Sequence, residues 1–203
     1  MELACVTALA AEWAFELDTP WARELAATDA STDFGFGVAR RRCSRRLVRE
    51  VGRLAERRGD YIALVPEPGA EMPSRLGTPH LLNLRQNAFS TVLSVPARFP
   101  GHATLLETHG ARMALEWISR TPAKHRSRVV LLIGSRAVLG AVSKGRSGAW
   151  LLRQQVRRVA ALSLAAGIRL HCVYVPSERN PADAPSRGRE VGEGNAETKA
   201  RWT

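Results

Sequence analysis

Apolar positions recur along this chain first with a period of two and later with a period near 3.6, and that switch predicts the order of its elements. Leu25 to Ala30 and Phe34 to Ala39 read as two short strands around a turn at Ser31-Thr32-Asp33. The Phe34-Gly35-Phe36-Gly37 alternation suits a hairpin with close backbone packing. Residues 44 to 58 predict a basic amphipathic helix. Leu47, Val48, Val51, Leu54 and Ala55 lie to one side of it and Arg49, Arg53, Arg57 and Arg58 to the other. A stretch holding Pro66, Pro68, Gly69, Pro73, Gly77 and Pro79 reads as loop. Thr91 to Val95 reads as a third strand.

From Leu105 onward the pattern sharpens. Leu105 to Ser119 predicts a helix, and Val129 to Ile133 a short, wholly apolar strand of the kind covered on both faces. A short helix near Ser135 to Val142 leads into a basic turn, Ser143-Lys144-Gly145-Arg146-Ser147. A long helix over 148–166 stops at Gly167. Ile168 to Val175 is a last strand, and a final short helix begins near Asn180. Strands first, then strands alternating with helices, predict an α/β fold: a mixed sheet with helices packed on it. Residues 1–22 read as an N-terminal helix and linker, 23–188 as the domain, and the polar run 189–203 as a disordered tail.

Composition bounds this picture without changing it. A length of 203 residues allows one well-packed domain plus appendages, and 45% hydrophobic residues supply its core. Lys and Arg outnumber Asp and Glu by 30 to 19, a net charge of +11 that favours a polyanionic partner, nucleic acid before a membrane surface. Distribution says more than the total. Between Trp117 and Ser177 there is no Asp or Glu, while Arg136, Lys144, Arg146, Arg153, Arg157, Arg158 and other cations crowd the same stretch. Cations without anions do not make a salt-bridged solvated face, so part of this set is expected to face phosphates. Cys5, Cys43 and Cys172 are scattered and odd in number, which indicates neither a disulfide framework nor a zinc site and fits a reducing, intracellular compartment. No apolar run approaches the roughly 20 residues of a membrane span, and residues 1–15 lack the basic start of a signal peptide.

Three carboxylates stand out by position. Asp29 ends the first strand, Asp183 opens the last helix, and Glu107 shares a helix face with Ala111, Ala114, Leu115 and Ile118. Singly, each reads as readily as a turn, cap or first-turn residue. Glu107 is the most telling, because its face must pack on the sheet and a buried carboxylate needs a partner. Together the three can converge on one sheet edge. Convergent oxygen ligands suit Mg²⁺, and two such ions about 4 Å apart can drive phosphodiester hydrolysis.

The order and wording of these segments resemble the ribonuclease H domain that follows reverse transcriptase in retroelement polyproteins. The resemblance rests on Thr28-Asp29-Ala30-Ser31 with Gly35-Phe36-Gly37, and on Leu106-Glu107 with Ala111, Ala114 and Leu115. It continues in the basic turn 143–147, in Val173-Tyr174-Val175-Pro176-Ser177, and in the run from Asn180 to Arg187. It covers about 24–42 and 90–188, leaving 43–89 as an insertion that carries the basic helix. It implies a ribonuclease H-like mixed five-stranded sheet flanked by helices, Mg²⁺ or Mn²⁺, and hydrolysis of the RNA strand of an RNA–DNA hybrid. An upstream reverse transcriptase is the implied partner, with this chain a fragment of a polyprotein.

By that resemblance Asp29, Glu107 and Asp183 are the catalytic and metal-binding carboxylates. Arg136, Lys144, Arg146, Arg153, Arg157 and Asn180 are the expected nucleic-acid contacts. The family's fourth carboxylate falls on Gly134, which has no side chain to ligate anything, and the acid-free stretch around it holds no substitute. Loss of an anionic ligand leaves one ion or weak binding and misplaces the attacking water, where about 1 Å can cost roughly 10²-fold in rate. Impaired hydrolysis is therefore expected. The alternatives are a non-catalytic nucleic-acid-binding or structural module, and another ribonuclease H-like nuclease of integrase or resolvase type. Arg136 beside the gap is expected either to meet a phosphate or to pair with Asp29 or Asp183.

Overall fold

Leu25, Ala26 and Ala27 are all fully buried, which consecutive strand residues achieve only when both faces of the strand are covered. The computed structural model of the chain describes residues 18–56, 59–65 and 77–189. The expected N-terminal helix over 1–17 and the tail over 190–203 lie outside the described residues.

The strands are β1 (Trp21–Ala30), β2 (Gly35–Arg42), β3 (Tyr61–Leu64), β4 (Pro79–Leu82), β5 (Ser90–Pro96), β6 (Arg128–Ile133) and β7 (Arg169–Tyr174). The helices are α1 (Arg45–Gly52), α2 (Ala103–Ser119), α3 (Arg136–Lys144), α4 (Trp150–Ala166) and the single turn α5 (Asp183–Ser186). Five strands form one mixed sheet in the order β5-β2-β1-β6-β7, and β3 and β4 form a separate parallel pair. In the large sheet β5, β2 and β1 run antiparallel to one another, while β6 and β7 run parallel to β1. The α/β class and the five-stranded mixed sheet expected from the sequence are both present.

Each face of the sheet has its own core, and the period of two decides which residue joins which. Leu25, Ala27, Ala39, Val130, Leu132 and Val173 pack with Val48, Val51, Leu54, Ile62, Leu64 and Leu82. Ala26, Val38, Val129, Leu131, Ile133 and Cys172 pack on the other side with Ala111, Ala114, Leu115 and Ile118 of α2 and Val159 of α4. The helix register expected for α2 is thus realised.

The segment 43–89 departs from expectation. Its helix ends at Gly52 and tightens into a 3-10 turn over Arg53–Glu56, and the stretch read as loop contains β3 and β4. Rather than hanging from the domain, it supplies much of one core layer. The first strand also begins at Trp21, earlier than Leu25; within this added stretch buried Glu24 pairs with Lys124 and lies 3.6 Å from Arg40. Elsewhere the local signals held. Ser135 caps α3 by accepting from the Val138 amide, and α4 ends at Gly167, whose φ of 62° is open to a residue without a Cβ.

Candidate functional site

Parallel pairing of β1, β6 and β7 sets their carboxyl ends side by side, with Thr28 opposite Ile133 and Ile133 opposite Tyr174. In α/β sheets, ligands bind beyond such strand ends. Asp29, Gly134 and the segment from Ser177 to Ser186 all lie there.

Asp29 is 5% exposed and held on both oxygens. Its Oδ2 accepts from Ser186 Oγ at 2.8 Å, and its Oδ1 accepts from Asn180 Nδ2 at 3.3 Å. The chain can fold back this closely because Asp29 pairs across the hairpin with Gly37. A Cβ on Gly37 would collide with the carbonyl of Ala182 and the amide of Ser186, so only glycine fits. Burial pushes the Asp29 carboxyl up to about 6, and the Asp183 charge adds to this; the Ser186 hydroxyl and the Arg187 charge act in the other direction.

Glu107 reaches the same place from α2. The helix can approach β1 because position 110 is glycine: a Cβ there would stand 3.1 Å from Thr28 Oγ1 and 3.3 Å from the Asp29 carbonyl. Glu107 Oε2 is buried, with no hydrogen-bond partner among the described residues. Burial first, then the charge of Asp29, pushes its carboxyl up to about 8. The inward register expected for Glu107 is present, but the partner that a buried carboxylate calls for is not found among the described residues.

Asp183 behaves differently. Its Oδ1 accepts from Arg187 Nε at 3.0 Å, and Arg189 lies 4.0 Å from Oδ2. Its charge still reaches Asp29, but its oxygens are turned to arginines.

Gly134 lies beside Asp29 at the end of β6. A Cβ there would be 3.2 Å from Asn180 Nδ2 and from Ser177 Oγ, and 3.3 Å from Asp29 Oδ1. Its φ is not positive, so a side chain is crowded there rather than conformationally barred. Hence the donor set does not fit two divalent ions. Among the described residues no cluster of three or more His, Cys, Asp or Glu side chains is placed to hold a metal. The Asp29–Glu107 pair, with its unpartnered Oε2, has the chemistry for at most one.

Asn180, expected at the nucleic-acid surface, is 1% exposed and built into the site instead. Its amide donates to the Thr28 carbonyl at 2.8 Å as well as to Asp29, and its oxygen accepts from the Ala182 amide at 3.1 Å. Arg136 is exposed and lies over the Tyr174 ring at 4.7 Å. The arginines on Asp183 are Arg187 and Arg189. Lys144, Arg146, Arg153 and Arg157 are exposed on the end of α3, the following turn and α4, and none forms an ion pair among the described residues.

The residues that sequence reasoning missed are Ser177, Ser186, Arg187 and Arg189. Ser186 and Arg187 were visible in the Asn-Pro-Ala-Asp-Ala-Pro-Ser-Arg run, but nothing in it says which carboxylate each would meet. No helix among the described residues is long and apolar enough to cross a membrane. No protein-family model, curated protein or solved structure matches this chain.

Proposed function

We propose that this chain is a retroelement-type ribonuclease H-like domain that binds RNA–DNA hybrid and has lost most of its hydrolytic power. One observation carries the reading: at the carboxyl ends of parallel strands, buried Asp29 lies close enough to Glu107 for its charge to act on that carboxyl, and a Cβ on Gly134 would stand 3.3 Å from Asp29 Oδ1. The five-stranded mixed sheet with helices on it supports the fold assignment. The exposed cations Arg136, Lys144, Arg146, Arg153 and Arg157 are the proposed phosphate contacts. Asp29 and Glu107 are the residues that would hold one weakly bound Mg²⁺ or Mn²⁺, which when bound would polarise a phosphate oxygen. An upstream reverse transcriptase domain supplies further grip on the hybrid.

The test is cleavage and binding of a labelled RNA–DNA hybrid in Mg²⁺ or Mn²⁺, with the unaltered chain beside Gly134→Asp. The expected result is that both bind and only the variant cuts appreciably. Robust cutting by the unaltered chain overturns the loss of activity. Absence of hybrid binding at low salt overturns the partner.

A further inference from the structure

We infer that Phe99 and His109, seated on buried Phe36, form a stacking site for an unpaired nucleobase at the carboxylate end of the sheet. The inference rests on the nucleic-acid-binding reading above and gives it a subsite.

The rings are mutually packed. Phe36 and His109 stack with centroids 4.8 Å apart and planes at 25°, and Phe99 meets His109 edge-on at 5.4 Å and lies 6.4 Å from Phe36. Their location is fixed by register, because Phe36 pairs with Ala30, next to the Asp29–Gly37 pair, and His109 follows Glu107 by two residues. Phe36 is 3% exposed and Phe99 is 41% exposed, so the cluster is rooted in the fold and open at one ring. Neither phenylalanine belongs to the core clusters on the two faces of the sheet. A lone exposed Phe is ordinary. Here the exposed Phe99 is held edge-on against His109, which itself stacks on buried Phe36, so its ring is fixed in place.

The surroundings favour a base over an apolar protein partner. Arg98, beside Phe99, is exposed, and exposed Arg158 lies on α4, which packs against α2. His109 Nε2 faces Arg112 at 2.9 Å, and because a guanidinium only donates, the imidazole accepts and is neutral. A neutral aromatic surface bordered by arginines suits a base with its phosphates alongside, and stacking of this kind is tolerant of sequence.

The test uses the full chain and two probes: a blunt RNA–DNA hybrid, and the same hybrid with a short single-stranded overhang carrying 2-aminopurine. The expected result is about fivefold or greater preference for the overhang, with altered 2-aminopurine fluorescence. Phe99→Ala should abolish both while leaving blunt-hybrid affinity within about twofold, which also shows that the variant is folded; Phe99→Trp should keep both. If the chain binds the blunt hybrid but shows no overhang preference, or if Phe99→Ala retains the fluorescence change, this inference fails and the broader reading stands. Failure to bind either probe overturns both.

Discussion

The Ser186 hydroxyl donates to Asp29 Oδ2 at 2.8 Å, joining residues 157 positions apart at the end of the first strand. This bond ties the C-terminal turn to the site and opposes the burial that drives the Asp29 carboxyl up to about 6. Ser186→Ala removes the one hydroxyl on that oxygen. The expected cost is about 1–3 kcal/mol, because a buried carboxylate oxygen loses its donor. The loss should be larger at pH 8, where Asp29 is ionised, than at pH 5. Urea unfolding at the two pH values checks it, and equal losses would show that the bond does not favour the charged form.

Glu107 gives the clearest pH signature. Its folded carboxyl is raised to about 8 from an ordinary value of 4.5, so the folded state holds a proton that the unfolded chain releases. Its contribution to stability is present below about pH 4.5 and is lost as pH climbs toward 8. Glu107→Gln should therefore match the parent near pH 4 and exceed it at pH 9 by on the order of 2–4 kcal/mol. Thermal melts across that range measure it; a parent chain as stable at pH 9 as its variant would sink the assignment.

Gly134→Asp should behave as a metal-rescued lesion. The new Cβ meets Asn180, Ser177 and Asp29 at 3.2–3.3 Å, and the new charge joins Asp29 and Glu107. Without divalent ion the variant should melt several degrees below the parent, since about 1 kcal/mol shifts the midpoint by roughly 2–4 °C in a chain of this size. Millimolar Mg²⁺ should restore most of that loss while moving the parent little. A variant indifferent to Mg²⁺ would mean that the added carboxylate does not complete an ion site.

Arg153 and Arg157 are one helical turn apart on α4, both exposed and without ion pairs among the described residues. Arg153→Ala with Arg157→Ala should weaken hybrid binding and reduce the slope of log K against log salt by about 1–2, since each phosphate contact contributes roughly 0.7–0.9. Anisotropy titrations between low and moderate salt would show it. An unchanged slope with unchanged affinity moves the phosphate path elsewhere.

What the sequence determined by itself is local. The runs Leu25–Ala30 and Val129–Ile133, the 3.6-residue register of Ala111, Ala114, Leu115 and Ile118, and the stop at Gly167 follow from periodicity and from glycine's freedom, which need no distant partner. They suffice for the class of fold and for the inward turn of Glu107. The misses share one physical cause, which is that the deciding partner lies far along the chain. Tyr61–Leu64 is strand because Pro79–Leu82 pairs with it, and in Trp21–Glu24, which extends β1, buried Glu24 meets Lys124 and Arg40. Asn180 is buried rather than surface-facing because Thr28 and Asp29 take its amide. Likewise, nothing local foretells that Ser186, one residue before the arginine that meets Asp183, turns to Asp29. Side-chain types and spacing fixed which groups could form a site; only the packing of the C-terminal turn over Gly37 decided which of them remain free to bind anything.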